Sequence, residues 1–193
     1  MSGNGHFLAR VSGEVKGNVT LRKQQYRISD NTEQSIKLAR NFITGKVYNC
    51  RWVLERAVRD YSLRIDTDSI KKKSKILYQS LEKIRTCKTS AQLLGLEGEA
   101  AAVYFSVFDE LILQQKEDFT FQGRNRRPPL DNVNAMLSFA YSLLTGMCGS
   151  ALESVGLDAY VGFFHTDRPG RISLALDIME ELRSIMADRF VLT

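Results

Sequence analysis

At 193 residues, 44% hydrophobic and 25% charged, the chain is long enough for one substantial core, or for one domain with a small appendage. No apolar run approaches the ~20 residues of a bilayer span, and the opening Met1–His6 lacks the apolar stretch of a secretory signal, so neither membrane insertion nor secretion is expected. The net charge of +5 hides an asymmetry: residues 1–90 carry 19 Lys and Arg against 8 Asp and Glu, and residues 91–193 carry 8 against 14. A basic half joined to an acidic half suits a polyanion held by one part and carboxylate chemistry in the other, although any single charge is most simply a solvated one.

In chain order, residues 6–28 read as β. His6–Ser12 forms a short strand, Gly13 and Gly17 bracket a turn, and Asn18–Ile28 alternates imperfectly with period two. Two strands alone are marginal in water, so they pack on the helices or lack their sheet partners. Ser29, Asp30 and Asn31 offer N-caps for a helix reaching about Tyr61. Its apolar positions are Ile36, Ala39, Phe42, Ile43, Val47, Val53, Leu54 and Val58, and its polar face carries Lys37, Arg40, Lys46, Arg51, Arg56 and Arg59. Gly45 is a candidate kink, and Trp52 could either stack on a base or pack in the core. Asp66 to Asp68 caps the next helix, to about residue 86, which opens with Lys71, Lys72, Lys73 and Lys75. Lysines there oppose the helix dipole, which suits an anionic partner or a solvated face equally.

Thr89 and Ser90 begin a helix expected to run to about Leu113. Within it Glu97 lies among small and apolar residues, and a buried carboxylate there needs a cation or a metal. Residues 114–129 form a loop, with a short strand expected at 118–121, and bring Arg124, Arg126 and Arg127 up to Pro128 and Pro129. Asp131 or Asn132 caps the most apolar helix, residues 131–155, which is expected to be central. His165 comes next, at the mouth of the turn Thr166–Gly170, and a last helix starts near Arg171 or Ser173. Asp177 and Glu180 lie three apart and share a face of it. A loop histidine beside two helical carboxylates could hold a hard divalent cation; the plainer reading is a polar helix face and a packed histidine. Cys50, Cys87 and Cys148 form no C-x-x-C pair and read as reduced thiols of a cytoplasmic protein. Walker, H-E-x-x-H and G-x-S-x-G motifs are absent from the sequence. The last helix has no stop signal, so the chain is expected to be part of a longer protein.

The ordered set Gly95-Leu96-Glu97-Gly98, Ala101, Tyr104-Phe105, Arg126-Arg127-Pro128-Pro129-Leu130-Asp131-Asn132, Ala151-Leu152-Glu153, Gly156-Leu157-Asp158, Gly162-Phe163-Phe164-His165 and Leu174 to Glu181 closely resembles the spacer-acquisition integrases of CRISPR systems, the family of CRISPR-associated protein one, in a subtype I-C-like form. The resemblance runs from about Phe7 to Thr193. It implies a mainly α fold: an incomplete N-terminal β domain over residues 1–28, then an α-helical catalytic domain over residues 29–193. The implied activity is metal-dependent DNA cleavage and joining in CRISPR adaptation, an antiviral defence, by attack of a 3′-hydroxyl on a phosphodiester. The implied metal ligands are Glu97, His165 and Glu180, with Asp177 as the neighbouring acid and Mg2+ or Mn2+ as the ion. Many members have Asp at the third position, so Asp177 and Glu180 compete for the direct bond. Arg124, Arg126, Arg127 and Arg168 would hold phosphates near the metal, and Lys71, Lys72, Lys73 and Lys75 would track the duplex. DNA, a second copy of the chain and CRISPR-associated protein two are the implied partners. The competing reading is a helical module that binds DNA without sequence preference and does not catalyse.

Overall fold

The structure is a computed structural model and describes residues 18–193. The strand expected over His6–Ser12 lies outside the described residues. Elements run in the order α1 (Val19–Asp30), α2 (Thr32–Tyr61), α3 (Thr67–Thr86), α4 (Ser90–Phe105), a 3-10 turn (Asp109–Leu111), α5 (Asn132–Ser154), α6 (Ser173–Leu182), a π-helical segment (Arg183–Asp188) and α7 (Arg189–Leu192). Among the described residues there is no strand.

The strand expected over Asn18–Ile28 is instead the helix α1. It docks through polar groups, which an apolar period cannot reveal. Gln25 is buried, donates to the carbonyls of Asp158 (2.7 Å) and Val161 (2.9 Å), and accepts from the Asp158 amide (2.9 Å). Arg22 Nε donates to the Gly156 carbonyl (3.1 Å). Residues one helical turn apart, not alternate ones, therefore share the docking face.

α2 is the hub. Asn31 caps it by accepting from the Gln34 amide (3.0 Å), and Ile36, Ala39, Ile43, Val47, Cys50 and Leu54 recur every three or four residues to form a buried stripe. At 30 residues it is about 45 Å long. It packs against α1, α3, α4, α6 and the π segment. α5, the helix expected at the centre, lies to one side against α6, the π segment and α7. It buries Val133, Leu137, Ala140, Tyr141, Leu144, Cys148 and Leu152, but leaves Met136, Phe139, Leu143 and Met147 exposed on the opposite face. By length and composition α5 could cross a membrane, which corrects the expectation that no run approaches that limit. In this fold it is a helix of the packed body.

α2 runs unbroken through Gly45, where a Cβ would stand 2.8 Å from Glu181 Cγ, so the missing side chain leaves room for that of Glu181. α4 stops at Phe105 instead of running to Leu113, because Phe105, Phe108 and Phe121 stack as one aromatic cluster with Tyr104. The Asp109 carboxylate accepts from the Phe121 amide (2.8 Å) and folds the loop back over that cluster. The strand expected at 118–121 is this turn, with no partner strand to pair it. Cys50, Cys87 and Cys148 are free and buried.

Candidate metal centre

The centre is built around the first turns of α6. Asp177 is fully buried and accepts four N–H groups: Phe163 N (2.6 Å) and Phe164 N (3.0 Å) on Oδ2, His165 N (2.9 Å) and His165 Nδ1 (2.7 Å) on Oδ1. Loop 162–165 can wrap this carboxylate only because residue 162 is glycine. A Cβ there would meet Ser173 Cβ at 2.8 Å and Asp177 Oδ2 at 3.0 Å. With Nδ1 donating to Asp177, the free nitrogen of His165 is Nε2, and it faces Glu180 Oε1 at 3.9 Å. Both oxygens of Asp177 are thus engaged, which leaves Glu180 as the carboxylate turned toward the neighbouring cations.

Glu180 is itself buried. Oε1 accepts from Arg183 Nη2 (2.7 Å), while Oε2 has no hydrogen bond and lies 2.6 Å from Lys46 Nζ. Lys46 projects from α2, with only 7% of its side chain exposed, and donates to Glu97 Oε1 of α4. Glu97 and Glu180, from two separate helices, are therefore gathered about one ammonium, and the His165 ring reaches Glu180 on its other oxygen. Burial alone would push the Lys46 ammonium down, but the Glu180 charge, opposed by Arg183 and joined by Glu97, leaves it raised. Burial would push Glu180 up, but Lys46 and Arg183 outweigh it and hold the carboxylate below its usual range. As the side chains stand, no three His, Cys, Asp or Glu among the described residues share a metal position, and Lys46 bridges Glu97 and Glu180. Two carboxylates that already hold a cation, with an imidazole nitrogen beside one of them, are the donor chemistry of a hard to borderline divalent ion such as Mg2+ or Mn2+. The residues fit such an ion.

A cleft of about 510 Å³ opens beside the centre, lined among others by Lys46, Glu97, Arg124, Arg126, Arg183 and Asp188. Polar residues of α5 hold the loop 123–126, part of which forms its wall. Asp131 caps the helix at the Asn134 amide (2.7 Å), and the buried Asn134 donates to the Gly123 carbonyl (2.9 Å) and accepts from Arg124 Nη1 (2.7 Å). Arg124 also donates to Ser138 Oγ (3.2 Å) and lies over the Tyr141 ring, 5.2 Å from its centroid. It is a half-buried strut whose pKa is lowered by that burial. Arg126 is exposed and lines the cleft.

A family model described as CRISPR associated protein Cas1 matches residues 1–193. The chain belongs to the Cas1 family. It is 49% identical over 190 residues to CRISPR-associated endonuclease Cas1 1 of Chlorobaculum tepidum, covering 98% of this chain and 55% of that protein. It is 50% identical over 193 residues to CRISPR-associated endonuclease Cas1 2 of Rhodospirillum rubrum, again covering 98% and 55%. The chain thus spans about half the length of these relatives. Among solved structures, a casposase bound to integration product superposes with TM-score 0.75 at 30% identity, covering 92% of this chain and 47% of that one. A partial Cas6-RT-Cas1–Cas2 complex superposes with TM-score 0.80 at 25% identity, covering 97% and 54%.

In this Cas1-family chain, Glu97, Glu180 and His165 follow one another in a chain of contacts through Lys46 and the two Glu180 oxygens, with Asp177 behind the histidine, and Arg124 and Arg126 line the adjoining cleft. Arg127, Arg168, Lys71, Lys72 and Lys75 are exposed and Lys73 is half-buried; none of them lines the cleft. Trp52 is 46% exposed, edge-on to Tyr48. Sequence reasoning misses three residues of the site. It puts Lys46 on the polar face of α2, yet Lys46 stands three residues after Ile43 and four before Cys50, on the apolar stripe. That register is the available signal. Arg183 pairs with Glu180 and lies 4.6 Å from the Tyr141 centroid. Asp188 is buried, accepts from Tyr141 Oη (2.5 Å), and has its pKa pushed up to about 6 by burial, against the pull of the Tyr141 hydrogen bond and Arg183. The two lie five apart at the ends of the π segment, whose wider turn breaks the 3.6-residue period.

Proposed function

We propose that this chain carries the catalytic part of a Cas1 endonuclease and integrase of CRISPR adaptation, acting in the cytoplasm of a subtype I-C-like system. In this reading it cuts and joins DNA with Mg2+ or Mn2+. The carrying observation is that Lys46, at the edge of a cleft lined with arginine, bridges Glu97 and Glu180, with His165 Nε2 standing 3.9 Å from the other Glu180 oxygen. Family membership supports the reading independently.

A bound divalent ion supplies Lewis-acid polarisation of a phosphate and acidification of a bound hydroxyl. The chain's own residues do the rest. Glu97 and Glu180 offer oxygen ligands, and His165 offers Nε2. Asp177 fixes the tautomer and orientation of His165 without touching substrate. Arg126 at the cleft, with Arg127 and Arg168 further out, positions phosphates so that a DNA 3′-hydroxyl meets the target phosphodiester in line. The hydroxyl proton passes to water as the new P–O bond forms, and the old P–O3′ bond breaks with the leaving oxygen taking a proton from water to become a new 3′-hydroxyl. Lys71, Lys72, Lys73 and Lys75 on α3 hold the duplex away from the centre, fixing position without reading sequence. The casposase relative bound to integration product and the relative in a Cas1–Cas2 complex support DNA and Cas2 as partners, alongside a second copy of the chain.

The test is strand cleavage and joining on duplex DNA with free 3′-hydroxyl ends, in Mn2+ and in EDTA. Products are expected in Mn2+ alone and are lost in Glu97→Ala, His165→Ala and Glu180→Ala, each checked for folding by circular dichroism. Replacing Arg126 and Arg127 together by Ala lowers the slope of log affinity against log salt by about 2, at ~0.9 per phosphate contact. Salt-sensitive DNA binding with no strand chemistry in any metal would favour the non-catalytic DNA-binding module.

A further inference from the structure

Lys46 is unusual for a residue at a metal centre, since it brings positive charge to a place that positive charge must enter. Its Nζ donates to Glu97 Oε1 and pairs at 2.6 Å with Glu180 Oε2, which has no other partner. An ammonium has no lone pair and cannot itself be a ligand. A divalent ion bound through those oxygens would sit within a few ångströms of Nζ and use the same lone pairs. Two cations cannot share that position in a buried site, where their repulsion is weakly screened. Without any cation, the buried Glu180 and the Glu97 beside it would face each other with Arg183 as the nearest counter-charge, an arrangement that strongly destabilises a fold.

We propose that Lys46 is the built-in occupant of the cation position, neutralising Glu97 and Glu180 in the metal-free protein, and that a divalent ion binds by displacing its ammonium into the adjoining cleft. This rests on the metal reading above. The exit is open, because Lys46 itself lines the cleft and α2 anchors only its backbone. The displaced charge joins Arg124 and Arg126, so metal loading places one more cation on the wall that receives DNA phosphates. Metal binding and DNA binding then strengthen each other by the same factor, as linkage requires. The metal-free protein keeps a compensated core, and its affinity for metal is correspondingly reduced.

The experiment is a Mn2+ titration by calorimetry without DNA, on the parent chain, Lys46→Met and His165→Ala. Lys46→Met is expected to bind Mn2+ more tightly than the parent, about 5- to 150-fold for a coupling of ordinary size. A second measurement needs no variant. Reductive methylation read by mass spectrometry should find Lys46 protected in EDTA and labelled once Mn2+ is added. Equal or weaker Mn2+ binding by Lys46→Met, with binding still lost in His165→Ala, leaves the metal centre standing and overturns the role of Lys46. No Mn2+ binding by either the parent or Lys46→Met overturns the metal reading and this inference with it. If Lys46→Met fails to fold, the labelling decides, and protection in both conditions overturns the proposal.

Discussion

Replacing Asp177 by Asn tests whether that residue is the scaffold of the centre. The change keeps size and shape and removes one acceptor oxygen and the charge. In the parent, two N–H groups point at each carboxylate oxygen, at 2.6 to 3.0 Å. Whichever way the amide is turned, its NH2 faces two donors that no longer have an acceptor. One pair is the Phe163 and Phe164 amides, and the other is the His165 amide and ring. A buried donor left without a partner costs about 1–3 kcal/mol. Two of them, with Asp177 fully buried, predict a loss of about 3–5 kcal/mol. For a chain of this length each kcal/mol moves the melting temperature by about 2–4 °C, so Asp177→Asn should melt about 10 °C lower. The assay is thermal unfolding by circular dichroism, repeated in EDTA and in excess Mn2+. The loss should persist in EDTA, since the donors are orphaned with or without metal. A variant melting within about 2 °C of the parent in EDTA, less than a single kcal/mol would give, would refute the scaffold role and return Asp177 to the candidates for a direct metal bond.

Gly162→Ala should cost about 1–3 kcal/mol in urea unfolding, because its Cβ would press on the buried Ser173 and on Asp177, neither of which can yield. Gly45→Ala serves as its control. The clash there is with the exposed, flexible side chain of Glu181, and a cost as large as that of Gly162→Ala would contradict the distinction. Asp188 gives a pH signature. Its folded pKa, raised from 3.8 to about 6, means the folded chain holds this proton more tightly than the unfolded chain does. Its contribution is therefore fully present below about pH 4 and is lost as pH rises to about 6, amounting to about 3 kcal/mol. Asp188→Asn cannot titrate and should flatten that part of the stability curve measured by urea unfolding from about pH 4 to 8; an unchanged slope would count against it.

Most helices are legible in the sequence because their starts carry a mechanism. Asn31, Asp66, Thr89 and Asp131 each stand before an apolar period, and each side chain accepts from a first-turn amide. Asp177 and Glu180 are legible as sharing a face for the same periodic reason, and both are buried. What fails is the assumption that buried faces are apolar. α1 docks with Gln25 and Arg22, so its imperfect apolar alternation suggests a strand. Lys46 lies in the buried stripe of α2, but its charge alone would send it to the surface. α5 is nearly apolar all round, yet it sits to one side, because composition does not say which neighbours a helix finds. How Asp177 and Glu180 divide their roles is not in the sequence at all; it depends on where the 162–165 amides point.

Lys46 and Glu97 are 51 residues apart, and Glu180 comes much later in the chain. The cation position therefore has high contact order and cannot form locally. A nascent or partly unfolded chain can present His165 to Asp177, which lie only 12 residues apart, but it cannot bring two glutamates to one cation. Completion of the site is thereby tied to completion of the whole helical body.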